Sequence, residues 1–405
     1  MAIVGALSTG NWSSVAVFPV APVSGDTVVA NGFTVTINVD VDIGNGTLQT
    51  LAAGAYASGG GFSVTASKTI TANCLAGTTD CLTITGSGNV TVNGNVNGSA
   101  GTTTKRGINH NSSGLLTIFG NVTAGATSSA YGVNHSAGTL SVTGTVTGGG
   151  VSTSTGISGI VPGALNIVGN VVSATGNGIT SSSDAITITG NILGTGSGSG
   201  LNWTPTSSNG TLEVNGNVSA DAGSGLLLNA TGTSATVTGN VTGGSTSGKY
   251  GISRLAVVTL TVNGTVTGGT YSTGYGINNS ISSATGTITV GSATASATCS
   301  AINMASTNVP GLSIINAITA RDGKPAIVYG TAAGVVTANG DVIWSANGTP
   351  PIAGVSISTF PTLIVHGSNS LTYTVAKSGG TRTLSTSSGS ASLIPSFGGR
   401  AGRRS

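Results

Sequence analysis

The chain has 405 residues, of which 5% are charged, 38% are hydrophobic and 68 are glycine, and its formal net charge is +3. Disordered chains combine low hydrophobicity with high net charge, so this composition predicts a folded protein. Nucleic-acid-binding domains carry basic patches with interleaved aromatic residues, whereas aromatic residues here make up 4%. We therefore expect no nucleic-acid partner. Val, Ile and Thr are abundant and helix formers are scarce, which predicts an all-β fold.

The N-terminal residues and the cysteines favour folding in the cytoplasm. Residues 1–7 lack the positively charged start of a signal peptide, and no apolar run reaches the roughly 18 residues of a membrane span, so we expect no membrane insertion. The three cysteines do not make a disulfide framework. Cys74 and Cys81 could pair across a short loop, but buried thiols are the better interpretation for both and for Cys299.

Residues 1–60 lack the repeat that dominates the rest of the chain, and we interpret them as an N-terminal β cap or attachment module. Asn31-Gly32 is a strong signal for a two-residue hairpin turn, followed by a long strand that begins at Phe33. Apolar and polar residues alternate along that strand, which predicts one buried face. A solenoid needs such a cap because its first coil otherwise exposes a sheet edge.

A glycine recurs at short and nearly even intervals in the same local pattern, and one copy of the pattern reads Leu-Ser-Val-Thr-Gly-Thr-Val-Thr, from Leu140 to Thr147. Self-similarity at such a short period is the signature of a solenoid. The equivalent positions are Gly94, Gly120, Gly144, Gly169, Gly190, Gly216, Gly239, Gly264, Gly291, Asn316, Gly340 and Gly367.

A second marker, a small residue followed by an aliphatic one as in Gly132-Val133, lies close to half a coil after the first and keeps phase with it. Each turn therefore has at least three short β segments, in which aliphatic residues alternate with Thr, Ser or Asn. We predict a right-handed parallel β-helix of about 12 coils, with a period of about 24–25 residues, over residues 61–375. The shorter turn of a hexapeptide helix and the regular aspartates of a calcium-binding nonapeptide repeat are not present.

An asparagine follows the marker glycine in many coils. Stacked asparagines form ladders in which side-chain amides bond to one another, and we predict such a ladder along one corner, with Thr145 and Thr265 as substitutes. Its members are Asn95, Asn121, Asn170, Asn191, Asn217 and Asn240.

Both ends of the chain are candidates for attachment to a partner. Trp12 and Phe18 lie in an aromatic and proline-rich opening segment. Residues 376–405 are rich in Ser and Gly, and we interpret them as an extended tail. The terminal arginines of this tail are either partner contacts or part of a solvated end; they are Arg400, Arg403 and Arg404.

The few acidic residues do not predict an active site. Glycan-cleaving enzymes need two or three carboxylates close together on one face. Asp184, Glu213 and Asp221 lie in neighbouring coils but at different positions of the repeat, so we expect solvated or turn-capping acids. Asp40 and Asp42 share a strand face, where charge more commonly blunts an exposed strand than binds a cation.

Two histidines and three tyrosines stand out as candidates for recognition. His110 and His135 are each third after their marker glycine and should stack one coil apart, in the slot that other coils fill with Trp203, Asn279 and Met304. A closed metal site needs three or four ligands, so we interpret them as a ladder on the outside of the solenoid and expect no metal. The tyrosines each precede a marker glycine and could form a sugar-stacking stripe; they are Tyr131, Tyr250 and Tyr275.

Several short motifs characterise the opening segment: Asn11-Trp12-Ser13, Pro22, Gly25-Asp26-Thr27-Val28-Val29, Asn31-Gly32 and Thr34-Val35-Thr36-Ile37. With these motifs the segment resembles the opening segment of β-helical structural proteins of tailed bacteriophages. The later coils resemble those proteins only in being rich in Gly, Thr and Asn. Similar opening segments occur in bacterial surface adhesins.

The resemblance implies a non-enzymatic virion component: a tail fibre or spike, a head fibre or a capsid-decoration protein that projects a β-helical rod. It also implies a homotrimer without a cofactor, assembled in the host cytoplasm, that binds other virion proteins and contacts a host cell-surface glycan. A glycan-depolymerising tailspike, which would be an enzyme, and a secreted bacterial adhesin remain the alternatives.

Overall fold

The structure, a computed structural model, divides into two compact units, Met1–Thr211 and Leu212–Ser405. Up to residue 319 it describes residues 2–99, 105–127, 129–159, 163–229, 231–270, 274–281, 286–294, 300–304 and 311–319. Beyond them it describes the backbone of eight short strands, at 327–329, 336–338, 341–345, 352–353, 356–357, 362–366, 372–376 and 382–383.

Every regular element of the described residues is a β-strand, and none of these residues forms a helix that could cross a membrane. The strands of the first unit are β1 Ile3–Gly5, β2 Gly10–Asn11, β3 Thr27–Val29, β4 Thr34–Thr36, β5 Val41–Gln49, β6 Gly61–Val64, β7 Lys68–Leu75, β8 Leu82–Gly86, β9 Val90–Asn93, β10 Val96–Asn97, β11 Arg106–Ser112, β12 Leu115–Phe119, β13 Val122–Thr123, β14 Tyr131–His135, β15 Thr139–Thr143, β16 Val146–Thr147, β17 Thr155–Gly159, β18 Ala164–Val168, β19 Val171–Ser173, β20 Asn177–Ser181, β21 Ala185–Thr189, β22 Ile192–Gly194 and β23 Leu201–Trp203.

The second unit has the same kind of short strands, the first of which begins at the unit boundary. They are β24 Thr211–Asn215, β25 Val218–Ala220, β26 Leu226–Leu228, β27 Thr233–Val237, β28 Val241–Thr242, β29 Ile252–Arg254, β30 Val258–Thr267, β31 Ile277–Asn279, β32 Thr287–Thr294, β33 Ile302–Met304, β34 Gly311–Thr319, β35 Ile327–Tyr329, β36 Val336–Ala338, β37 Asp341–Ser345, β38 Ile352–Ala353, β39 Ser356–Ile357, β40 Thr362–His366, β41 Thr372–Ala376 and β42 Arg382–Thr383.

One coil of the first unit shows how the repeat folds. β14, β15 and β16 are its three segments, as the two sequence markers predict. Each pairs in parallel with its equivalents in the coils before and after, and Leu140 lies opposite Leu116 and Leu165. Those partners occupy the same position of the repeat one coil earlier and one coil later, so the all-β parallel solenoid and its period are confirmed. The right-handed sense of the coil stays a prediction.

Aliphatic side chains from successive coils stack into buried columns. In the first unit Leu116, Leu140 and Leu165 are each at most 1% exposed. Burying a leucine of this kind contributes roughly 1.5–3 kcal/mol. The residues next to them along the strands, such as Thr117 and Ser141, point outward, because successive residues of a strand face opposite sides. Cys74 and Cys81 are both buried, free thiols, as the sequence predicts, and Cys299 lies outside the described residues.

The segment interpreted as an N-terminal cap, residues 1–60, contains strands that pair in parallel like those of the later coils. β3 pairs in parallel with β1 on one side and with β5 on the other, and β4 pairs with β2 and β6. Asn31 and Gly32 have the positive φ angles of a two-residue turn, 54° and 82°. The hairpin prediction is nevertheless wrong. Both edges of β3 already have parallel partners, so the turn makes a corner between two sheets.

The long alternating strand expected after Phe33 is interrupted. Val35, Ile37, Val41 and Ile43 are buried as the alternation predicts, but Val39 is 39% exposed. The chain leaves one sheet after β4 and enters the other sheet at β5. Asp40, in the gap, accepts a hydrogen bond from the backbone N–H of Thr69 at 2.9 Å, one coil later. The break is therefore another corner of the coil.

The described strands near the C-terminus change direction. β40 and β41 pair antiparallel, and so do β39 and β42. β42 lies within residues 376–405, so that segment is not wholly an extended tail. Arg400, Arg403 and Arg404 lie outside the described residues.

The corner asparagines bond differently from the predicted amide ladder. In the first unit Asn95, Asn121 and Thr145 each donate their backbone N–H to the side-chain Oδ1 of the asparagine one coil earlier, at 2.8 to 2.9 Å. In the second unit Asn240 and Thr265 do the same at 2.8 Å. A corner N–H lies beyond the strand ladder and needs an acceptor, so the backbone takes the oxygen that a neighbouring amide would have used.

Gly144 marks the bend between β15 and β16. Its φ of 151° is unfavourable for residues with a side chain, and a Cβ there would lie 2.2 Å from the carbonyl oxygen of Gly120 in the preceding coil. The coils approach each other too closely here for any other residue.

We expect Gly144→Ala to lower the free energy of unfolding by on the order of 2 kcal/mol or more, because the new methyl group must displace backbone. Gly150→Ala is the matched control, since its nearest atom would be 3.9 Å away. Denaturant unfolding followed by circular dichroism measures both, and equal midpoints for the two variants would contradict the close approach.

We expect Asn121→Ala to cost about 0.5–1.5 kcal/mol, because the Thr145 N–H loses its acceptor. Asn121→Asp keeps an oxygen in place and should stay close to wild type. Exposed Asn111 provides a control alanine substitution. If Asn121→Ala and Asn111→Ala unfold at the same denaturant concentration, the corner bond does not stabilise the fold.

Candidate functional site

The residues third after the marker glycine form one column inside the first unit. His110 lies opposite Ile84 and His135, and the column continues through Gly159 and Ser181 to Trp203. His110 and Trp203 are 0% exposed and His135 is 1% exposed. The prediction of an outward ladder is therefore wrong. The third residue lies two positions after the buried aliphatic residue of the marker. Residues two apart along a strand face the same side, so both of these side chains point inward.

The two histidines contact each other directly. Their rings stack with centroids 5.0 Å apart and an angle of 19° between the planes. The two Nδ1 atoms are 2.9 Å apart. One Nδ1 must therefore donate its proton to the other, which requires at least one of the rings to be neutral. The Nε2 atom of His110 is buried without a hydrogen-bond partner.

Burial keeps the histidine pair uncharged. Desolvation lowers the pKa of His110 to about 4, with a further contribution from the charge that His135 would carry. Desolvation likewise lowers the pKa of His135 to about 4. Both rings are thus neutral at pH 7. No three His, Cys, Asp or Glu side chains come together as a metal site within the part of the chain that the structure describes.

Trp203 is a core residue of this column. Its indole Nε1–H donates to the carbonyl oxygen of Ser183 at 2.8 Å, so its one polar atom has a partner within the solenoid. A buried tryptophan with a satisfied N–H contributes packing and is not available to an external ligand. Trp203 is therefore not a surface-recognition residue.

The tyrosines are the predicted recognition residues that reach the surface. Tyr131 is half-buried and lies opposite Arg106 and Thr155 in the sheet. In the second unit Tyr250 and Tyr275 are half-buried, with ring centroids 6.0 Å apart and planes within 14°. A pair of parallel rings of this kind can stack on the apolar face of a sugar.

The aromatic residues of the opening segment pack into the first unit. Phe18 is 3% exposed, and the half-buried Trp12 contacts it at a centroid distance of 5.0 Å. Phe18 is thus not accessible as an attachment contact. Apolar side chains that are exposed in the same segment are Ile3, Leu7, Val15, Val20 and Val23.

The described carboxylates mostly bind groups of their own chain. Asp26 accepts from the N–H groups of Ala2 and Val23, which lowers its pKa. Asp184 accepts from the N–H of Ser207 at 3.0 Å, one coil later. Glu213 accepts from the side chain of Asn215 at 3.0 Å. Asp26 and Asp184 thus cap corners through backbone N–H groups, whereas the exposed Glu213 bonds a side chain of its own strand.

The sequence interpretation missed Arg254. It is third after Gly251 and so occupies the same slot as the histidines, in a column of the second unit with Leu228, Asn279 and Met304. Its side chain is 0% exposed, and burial lowers its pKa to about 10. The sequence pattern that would have identified it was present, because both His110 and Arg254 are the last residue of a Gly-Ile-x-x pattern.

Comparisons with known proteins give no match: no family model, no curated protein and no solved structure is similar to this chain. The residues and their geometry are therefore the basis for a functional proposal. They comprise a neutral histidine pair, a buried arginine, a stacked tyrosine pair and carboxylates that cap the chain.

We expect stability to fall as the pH is lowered from about 6.5 to about 4. A histidine of the unfolded chain takes up a proton near pH 6.5. His110 and His135 do so only near pH 4 when folded. Between about pH 6.5 and pH 4 protons therefore bind preferentially to the unfolded state, which lowers the free energy of unfolding. Below about pH 4 both states are protonated and this free energy falls no further. Together the two shifts correspond to a few kcal/mol.

Thermal unfolding midpoints between pH 7 and pH 4 measure this loss. The double substitution His110→Phe with His135→Phe removes both titrating groups and should flatten the curve, since the column already contains Ile84 and Trp203. An unchanged pH dependence in the double variant would rule out the histidine pair as its cause.

Proposed function

We propose that this chain is a non-enzymatic structural protein of a phage virion: a capsid-decoration protein, a head fibre, a tail fibre or a spike. The opening motifs Asn11-Trp12-Ser13 and Gly25-Asp26-Thr27-Val28-Val29 carry the resemblance to such proteins. The β-solenoid fits this role and several others, so the proposal also rests on what the polar side chains do.

The observation that carries the non-enzymatic part is the use of carboxylates as caps. A general acid in glycan cleavage needs a carboxyl group with a raised pKa, close to a second carboxylate. Asp26 has instead a lowered pKa, caused by two backbone N–H groups. Asp80 accepts from the backbone N–H of Arg106 at 3.0 Å and forms an ion pair with its guanidinium at 3.3 Å. Such acids stabilise coils and are poorly placed for proton transfer.

The remaining parts of the proposal follow from the same role. A solenoid whose successive coils are bonded at corners such as those of Asn121 and Thr145 would resist unfolding, which suits a particle that persists outside a cell. We propose a homotrimer that binds other virion proteins and is assembled in the host cytoplasm. The stacked Tyr250 and Tyr275 favour contact with a glycan of the host cell surface, without cleavage.

The location of the protein tests the proposal most directly. We expect gold-labelled antibodies against the purified chain to decorate phage particles from an induced culture of the source bacterium, and the chain to copurify with those particles through a density gradient. Label confined to the bacterial surface would favour the adhesin instead.

Activity measurements on the same preparation distinguish the tailspike. The full chain should release no oligosaccharides from host capsule or lipopolysaccharide. Release that is lost on Glu213→Gln, which preserves the size of the side chain beside Asn215, or on Asp184→Asn, would overturn the non-enzymatic assignment.

A further inference from the structure

Arg254 is a buried cation without a described counter-charge. Its Nε donates to the carbonyl oxygen of Val258 at 2.8 Å, and its Nη1 donates to Oδ1 of Asn279. The described carboxylates form one ion pair, between Asp80 and Arg106 in the first unit. The guanidinium thus has neutral acceptors on two of its nitrogens and no negative charge.

Two donors of this cluster have no acceptor. Nη2 of Arg254 and Nδ2 of Asn279 are both buried, and neither has a hydrogen-bond partner among the residues that the structure describes. Arg254 and Asn279 are 0% exposed and are joined by the Nη1–Oδ1 bond, so the two orphaned donors belong to one site. Leu228 and Met304, the next residues of the column on either side, have no side-chain oxygen.

A site with this composition attracts a negative charge. A buried cation without a counter-charge is costly, and each buried donor without an acceptor adds the cost of its own lost hydration. Neither orphaned group can accept a hydrogen bond, because a guanidinium and an amide NH₂ only donate. An anion would satisfy both donors and balance the charge, whereas a cation would find no ligand here.

We propose that Arg254 and Asn279 form an internal binding site for a monovalent inorganic anion of the halide class, chloride under physiological conditions. One negative charge balances the single guanidinium. A phosphate or sulfate dianion would bring a second charge and more acceptors than the two donors can satisfy, at a larger desolvation cost. The backbone of Gly286 packs against this end of the guanidinium, since a Cβ there would lie 2.8 Å from Nη2.

The site is independent of the virion proposal, because it concerns the interior of the solenoid. Bound chloride would hold β29 and β31 together through Arg254 and Asn279, which are paired in register. The guanidinium stays protonated at neutral pH, since its pKa is lowered only to about 10. Chloride binding should therefore not depend on pH between about 6 and 8.

Thermal unfolding of the full chain at constant ionic strength tests the proposal. Replacing sodium gluconate stepwise by sodium chloride should raise the unfolding midpoint by a few degrees, because a ligand that binds only the folded state stabilises it. Gluconate is too large for the site and fixes the ionic strength. A midpoint that does not respond to chloride would overturn the proposal.

Substitutions test whether the effect of chloride on the unfolding midpoint arises at Arg254. Arg254→Met, with an apolar chain of similar length, should abolish the response to chloride, whereas Arg106→Met, at a half-buried ion pair, should retain it. An equal response in all three proteins would place the chloride elsewhere and contradict the site.

Crystals of the wild-type chain soaked in sodium bromide give a readout that does not require a folded variant. Bromide scatters anomalously, and we expect a peak within hydrogen-bond distance of Arg254 Nη2 and Asn279 Nδ2. A well-ordered Arg254 without such a peak would overturn the proposal, whatever the variants show.

Discussion

The hydrogen bond from a corner N–H to a side-chain oxygen of the preceding coil is the interaction on which the rest of this structure depends. Strand pairing satisfies the backbone along the flat parts of a coil but leaves the corners without acceptors. Asn121 provides such an acceptor for Thr145, and Asp184 provides one for Ser207. Asparagine and aspartate therefore serve the same structural purpose, and this accounts for a composition rich in Asn and poor in charge.

The period and the buried aliphatic columns could be predicted from the sequence because both are repeated many times. Leu140, whose partners are Leu116 and Leu165, needs only the period of the repeat to be placed. The hairpin at Asn31-Gly32 could not be excluded in this way. Its turn has the expected φ angles, but β3 and β4 pair with parallel strands of neighbouring coils and not with each other.

The hydrogen-bond partners and directions of individual side chains were harder to predict, for a different reason. The predicted amide ladder assumed that stacked asparagines bond to one another, as Asn134 and Asn109 indeed do at 3.0 Å on another sheet. At the corner the backbone N–H competes for the same oxygen and takes it. The inward direction of His110 could have been deduced from parity with Ile108, since only their separation along the strand decides which face they share.

The inward slot after the marker glycine shows how a solenoid interior tolerates polar residues. His110 and His135 lose their charge when buried and hydrogen-bond to each other through Nδ1, so they need no counter-charge. An arginine cannot use this solution, because its pKa remains far above neutral pH even when burial lowers it. Arg254 must therefore obtain its negative charge from elsewhere, and the two unpartnered donors beside it indicate where that charge would bind. Buried polar groups that the repeat can neutralise or pair, such as the two histidines, contribute to the fold alone. The guanidinium of Arg254 cannot be neutralised in this way, and it is there that we propose a bound anion.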